Sequence, residues 1–243
     1  MHKNALPVTS NSFRAYHLLF CLFSIISGWG QNLSWVSSAT FGSITNDVVR
    51  DMVMDKTGNY YITGAFSNTI DIDPGPGITN LVPVGDQDAF IAKFNPSGSL
   101  QWVNVYGSNL QDYGFRLCLD NTGNLYASGL CMVAADLDAG PGTYSISGGH
   151  YMMKLSPAGN ALWIRSVGLP WAGYGSNSAM WGDIETDQKN VYFTGNGGGG
   201  GVDFDPGPKT ATVAQGSWIL KMDTAGNYRW AKTITSTSAY SGS

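Results

Sequence analysis

An all-β fold built from a repeated four-stranded unit is predicted by three observations. Four tryptophans recur at near-constant spacing. A strand ending in glycine follows each of three Asp-to-Asn turns. The acidic residues are almost all aspartate.

The tryptophans are Trp35, Trp102, Trp163 and Trp230, separated by 67, 61 and 67 residues. Other landmarks keep step with them. Asp55-Lys-Thr-Gly-Asn59 is echoed by Asp120-Asn-Thr-Gly-Asn124 and, more loosely, by Asp187-Gln-Lys-Asn190. Each turn leads into a strand that closes on Gly64, Gly129 or Gly195. A loop with alternating aspartates follows, carrying Asp71 and Asp73, Asp136 and Asp138, Asp203 and Asp205. Then comes a strand with a lysine near its end (Lys93, Lys154, Lys221), a turn with a glycine (Gly98, Gly159, Gly226), and the tryptophan strand again. Self-similarity at such a period marks a repeat architecture.

Each copy reads as four strands, a to d. In the second copy these are about Tyr113 to Asp120, Leu125 to Gly129, Tyr151 to Leu155 and Leu162 to Val167. The a–b and c–d links are short, which makes antiparallel hairpins. One four-stranded sheet cannot bury both its faces, so the units must stack, with the tryptophans and the strand-b tyrosines between them. The prediction is an all-β chain of β-propeller blades, four-stranded antiparallel repeats, filling residues 31–243. A solenoid has shorter coils, and a β-sandwich needs about seven strands per domain.

Composition agrees. Charged residues are 12% of the 243 and glycine numbers 32, which suits short strands and tight turns better than surface helices with charged faces. Glu185 is the one glutamate among 17 acids. Aspartate suits turns because its side chain hydrogen-bonds nearby backbone.

Residues 1–30 read as a secretory signal peptide. Lys3 and Arg14 precede the apolar run Leu18 to Ile26, and small residues Gly28 and Gly30 offer a cleavage site after Gly30. The run is about ten residues, short of the ~20 that span a bilayer. The expected product is secreted or held at the cell surface, with no membrane span in the mature chain. Cleavage removes two basic residues and no acid from a net charge of −4, leaving −6. That balance opposes nucleic-acid partners, whose phosphates demand a basic surface. Cys118 and Cys131 remain. An exported protein permits a disulfide between them, but they lie at unequal distances from the a–b turn between them, so both read more readily as small buried apolar residues.

Asp88 to Gly114 resembles the seven-bladed β-propeller repeat family of bacterial exported proteins, and the DIDPGPG and DFDPGP loops from Asp71 and Asp203 are similar to those of large secreted Bacteroidota proteins. The resemblance covers about residues 32 to 243. It implies a propeller architecture and export, with type IX secretion as the candidate route, and it assigns no activity.

Several residues are candidates for chemistry. The six loop aspartates, Asp71, Asp73, Asp136, Asp138, Asp203 and Asp205, present alternate carboxylates that can converge on Ca2+, which takes six to eight oxygens. The competing reading is a turn shaped by aspartate and proline. Trp171, Tyr174 and Trp181 lie in a d-to-a connection outside the repeat landmarks and are candidates for a glycan or protein ligand. The Gly197–Gly201 run lacks the Gly-Lys-Ser/Thr and the helix that a phosphate loop needs. His150 is the one histidine left after cleavage, with no nucleophile motif near it, and repeated residues suit structure better than catalysis. A non-enzymatic interaction or scaffold module is therefore expected, with no catalytic residues and no certain cofactor. The alternative is a propeller lyase or glycoside hydrolase acting on extracellular polysaccharide.

Three blades span too little arc for a ring, which closes with about four to eight. The strand order d, abcd, abcd, abcd also leaves an extra first strand, Leu33 to Phe41. The chain is expected to be an incomplete propeller, a piece of a longer reading frame, with pairing of copies as the alternative.

Overall fold

The computed structural model describes residues 47–167, 180–196, 203–212 and 216–234. The segment expected to be a signal peptide, the expected first strand Leu33 to Phe41, the Gly197–Gly201 run, Trp171 and Tyr174 lie outside them. Among the described residues every regular element is a strand.

In chain order the strands are β1 (Val48–Met54), β2 (Tyr60–Phe66), β3 (Ile70–Asp71), β4 (Asn80–Leu81), β5 (Asp88–Phe94), β6 (Leu100–Tyr106), β7 (Asp112–Leu119) and β8 (Leu125–Cys131). They continue as β9 (Ala135–Asp136), β10 (Ser145–Ile146), β11 (Gly149–Leu155), β12 (Ala161–Val167), β13 (Met180–Thr186), β14 (Asn190–Asn196), β15 (Ser217–Asp223) and β16 (Tyr228–Ile234). Three four-stranded sheets result, ordered β1-β2-β5-β6, β7-β8-β11-β12 and β13-β14-β15-β16. Their pairings are antiparallel throughout. These are the a-b-c-d blades that the repeat predicts.

The turns follow from their residues. Asp55 Oδ1 accepts the backbone N–H groups of Thr57 (2.8 Å) and Asn59 (3.0 Å), and Asp120 Oδ1 those of Thr122 and Asn124 (both 2.9 Å). The c–d turns repeat the device with Asn95 and Asp223. An aspartate or asparagine side chain thus replaces the missing ladder bonds at the hairpin tip. The third a–b turn has no glycine, and Gln188 takes the left-handed conformation instead, at φ 73°.

Strand a bulges at the same place in all three blades, between Val49 and Asp51, Gly114 and Arg116, and Trp181 and Ile184. The bulge explains the glycine closing strand b. A Cβ at Gly64 would collide with the Val48 carbonyl across the pair.

Two cores lie between blades. One joins Tyr61, Ile91 and Tyr106 of the first blade to Leu117, Leu125, Ala127, Met153 and Ile164 of the second. The other joins Cys118, Tyr126, Met152 and Trp163 of the second to Ile184, Phe193, Trp218 and Leu220 of the third. Successive strand residues point to opposite faces, so the central β8 and β11 are buried along their whole length. Cys118 and Cys131 are both buried and unbonded to each other, one in each core.

The b–c connection is more ordered than a loop. Strands β3 and β4 pair, as do β9 and β10, and Asp203 bridges Thr212 in the third blade. The residue between the aspartates is the anchor. Ile72 and Leu137 are fully buried and Phe204 is 1% exposed.

Candidate functional site

The feature that recurs with its full chemistry in every blade is a Tyr–Lys–Trp stack. Across strands b, c and d, Tyr61, Lys93 and Trp102 sit directly opposite one another, as do Tyr126, Lys154 and Trp163, and Tyr192, Lys221 and Trp230. The lysine ammonium lies over the tyrosine ring at 5.0, 4.9 and 5.2 Å. Tyrosine and tryptophan rings are 6.0, 6.0 and 6.4 Å apart. Such a cation–π contact contributes about 0.5 to 2 kcal/mol, more as water is excluded.

In the first two blades the stack grips the next blade's c–d turn. Lys93 Nζ and Trp102 Nε1 both donate to the Pro157 carbonyl at 3.1 Å, and Asn104 Nδ2 donates to the Gly159 carbonyl at 2.8 Å. One blade on, Lys154 Nζ (3.3 Å) and Trp163 Nε1 (3.0 Å) donate to the Thr224 carbonyl, and Arg165 Nε donates to the Gly226 carbonyl at 3.1 Å. Gly159 and Gly226 sit under the indoles at positive φ, 86° and 78°. The turn thus offers two carbonyls above a bare Cα, and the tryptophan fills the space a side chain would take.

A second contact runs along the a strands. Asp51 Oδ2 accepts the Leu117 N–H at 2.8 Å, and Arg116 Nε donates to the Gly182 carbonyl at 2.9 Å.

The alternating aspartates perform one task three times. Oδ1 of Asp71 accepts the N–H groups of Asp73 (3.1 Å) and Thr79 (2.9 Å). Asp136 does the same for Asp138 (3.0 Å) and Tyr144 (2.7 Å), and Asp203 for Asp205 (3.0 Å) and Ala211 (2.8 Å). The second aspartate of each pair caps the glycine two residues on, at 2.8 Å in all three loops. These carboxylates tie the two legs of a small hairpin together. Among the described residues no group of three or more His, Cys, Asp or Glu side chains is arranged to hold a metal ion.

Two other carboxylates are fully buried, Asp88 and Asp112. Asp88 accepts the Val84 N–H at 2.9 Å and the Gly85 N–H at 3.4 Å. Asp112 accepts from the Ser108 N–H, the Ser108 hydroxyl (3.1 Å) and the Met132 N–H (3.1 Å). Burial holds both above the usual carboxylate range against these hydrogen bonds, and the Asp112 charge adds to the rise at Asp88. They pin the segment linking the first two blades, where Gln87 bridges Gln111. Asp88 stands where the other copies have Gly149 and Gly216, so the repeat does not single it out.

His150 is 2% exposed and packs 6.1 Å from the Phe115 ring. Of the three candidate ligand aromatics, Trp181 falls in β13, paired with Gly195, rather than in the connection before it. No helix among the described residues is long and apolar enough to cross a membrane.

Compared with protein families and with curated proteins, the chain matches none. The family resemblance rests on its repeat residues alone.

Proposed function

We propose that this chain is an exported, non-enzymatic β-propeller repeat protein that serves as an interaction or scaffold module at the cell surface. One observation carries the reading. The polar residues that recur do architectural work: the alternating aspartates tie the same small hairpin in all three copies, and the Tyr–Lys–Trp stack, formed in all three, grips the next blade's turn in the first two. A catalytic pair is normally unique to one place in a fold, and fold alone assigns no chemistry. The acidic balance and low charge suit an extracellular glycan or protein partner better than a nucleic acid. Residues 1–30 would direct export, and the resemblance of the Asp-rich loops to those of secreted Bacteroidota proteins makes type IX secretion the route to test first.

The test has two parts. N-terminal sequencing of the exported protein should begin after Gly30; a start at Met1 refutes the signal. The intact protein should bind on a glycan array or capture an extracellular protein while leaving polysaccharides uncut. Release of oligosaccharide products would replace this reading with the polysaccharide-acting enzyme.

A further inference from the structure

Residues that recur from blade to blade hold the blades together; the a strands carry a group that does not recur. These strands meet from blade to blade, β1 with β7 and β7 with β13. At their shared bulge stand three different residues: Arg50 in the first blade, Phe115 in the second and Gly182 in the third. Tyr113 likewise stands where the other blades have Val48 and Met180.

Arg50, Tyr113 and Phe115 form one assembly across the joint between the first two blades. The Tyr113 and Phe115 rings are near parallel, at 9°, with centroids 6.2 Å apart. The Arg50 guanidinium carbon lies 5.1 Å from the first centroid and 5.5 Å from the second. Both rings are half-buried, and Arg50 is exposed. Phe115 also packs on the buried His150, and the Tyr113 hydroxyl donates to Gln111 Oε1 at 3.1 Å.

The electrostatics favour an anion. A guanidinium backed by aromatic faces is weakly hydrated, yet its planar edge still offers paired N–H donors. The strand-a carboxylates nearby are turned to backbone: Asp51 accepts the Met52 and Leu117 N–H groups, both at 2.8 Å, and Asp183 accepts the Ile184 N–H at 2.9 Å. Arg116 follows the Phe115 bulge and adds a second guanidinium. It is held by Nε on the Gly182 carbonyl and Nη1 on the Phe115 carbonyl, both at 2.9 Å. Two of the four arginines beyond residue 30 thus stand at adjacent bulges, in a chain of net charge −4.

We infer that Arg50, Tyr113 and Phe115 form a binding subsite for a uronate, the carboxylate-bearing sugar of an acidic polysaccharide. The Arg50 fork takes the planar carboxylate in two parallel hydrogen bonds. The C–H face of the sugar covers the ring surface left half-exposed, and the Gln111–Tyr113 pair meets a ring hydroxyl and fixes orientation. The subsite rests on the reading of this chain as a binder of extracellular glycan or protein, and it narrows that reading to acidic glycan.

The intact protein is titrated calorimetrically with tetragalacturonate, with its fully methyl-esterified form, and with a sulfated galactan tetrasaccharide. The acid should bind at least tenfold more tightly than the ester, with an affinity that falls as salt rises. Arg50→Met keeps the stem over the rings and drops the charge; it should weaken binding tenfold or more. Phe115→Leu should weaken it about threefold. Lys189→Met removes the same charge from an exposed a–b turn and should leave binding unchanged. Thermal melting checks that each variant folds, and the acid-against-ester comparison needs no variant at all. Equal affinity for acid and ester overturns the inference, as does binding that survives Arg50→Met. Equal or tighter binding of the sulfated galactan makes this an unselective anion patch and overturns it too. A protein that ignores tetragalacturonate but binds neutral glycans or an extracellular protein loses the subsite and keeps the broader reading; one that binds none of these loses both.

Discussion

Trp102 rests on Gly159 of the next blade so closely that a Cβ there would come within 2.9 Å of the indole. Trp163 repeats this with Gly226, at 2.8 Å. The pair is the unit of blade stacking: a tryptophan reads a missing side chain, and its N–H takes the carbonyl beside it.

Trp163→Ala should therefore be costly. It removes a nearly buried indole and leaves the Thr224 carbonyl without a donor from Trp163, for an expected loss of about 3–5 kcal/mol. Trp230→Ala should cost less, about 1–3 kcal/mol, because its indole is only half-buried and makes no hydrogen bond to a described residue. Urea unfolding midpoints of the two variants measure the difference. Equal losses would mean that the third face is covered like the second.

The glycines separate two effects. Gly123, at φ 82°, would place a Cβ 3.5 Å from Pro157, an ordinary contact. Gly159, at φ 86°, would strike Trp102. Gly123→Ala should cost about 1 kcal/mol from backbone strain alone, and Gly159→Ala about 2–3 kcal/mol once overpacking is added. Melting in denaturant distinguishes them. A Gly159→Ala no worse than Gly123→Ala would show that the tryptophan moves aside freely.

The repeat made most of this legible. Strand order, the short hairpins and the interface role of the tryptophans and strand-b tyrosines all follow from periodic residues, since each copy faces the same packing problem. What escaped was non-periodic or relational. The Ile72, Leu137 and Phe204 anchors were visible as the apolar middle residue of each Asp-x-Asp, but the carboxylates on either side drew attention to metal chemistry. Lys93 reads as a surface charge until Tyr61 and Pro157 are placed around it. Asp88 has no counterpart in the other copies, so alignment of the chain with itself could not find it.

The alternating aspartates should matter through the backbone they hold. Asp71→Ala leaves the N–H groups of Asp73 and Thr79 without their acceptor and should cost about 1–3 kcal/mol, whereas Asp71→Asn, which keeps one acceptor oxygen, should cost less. Because Oδ1 is engaged by protein N–H groups, the melting temperature in chelator should equal that in millimolar Ca2+. A rise with Ca2+ that vanishes in Asp71→Ala would assign the ion to these loops, since a ligand of the native state alone raises its stability.

The cysteines should be inert while the protein is folded. Burial pushes both thiols well above their ordinary value, and the thiolate is the reactive form. Cys118 and Cys131 lie in different cores on opposite sides of one sheet, out of reach of each other. The mature protein should show no alkylation by iodoacetamide in buffer and two alkylated cysteines in denaturant. A disulfide between them would contradict the blade register.

Buried and turn carboxylates should respond to pH in opposite senses. Asp88 is held above its ordinary value first by burial and then by the nearby Asp112 charge, against two backbone N–H donors. A raised folded value favours the protonated form, so its contribution is fully present below the unfolded value near 3.9 and is lost as pH rises through the folded one. Asp88→Asn removes that ionisation and keeps an acceptor for Val84 and Gly85. Its stability relative to the natural chain should increase from pH 3 to pH 7. Asp120 behaves in reverse. Burial raises it, but hydrogen bonds from Thr122 and Asn124 outweigh that and hold it at about 2. Its stabilisation is present above about 3.9 and fades as pH falls toward 2. Asp120→Asn should therefore be destabilised at pH 7 and approach the natural chain near pH 2. Unfolding free energies of both variants across that range test the pair. Parallel pH curves for either variant and the natural chain would show that its carboxylate does not change affinity for the proton on folding.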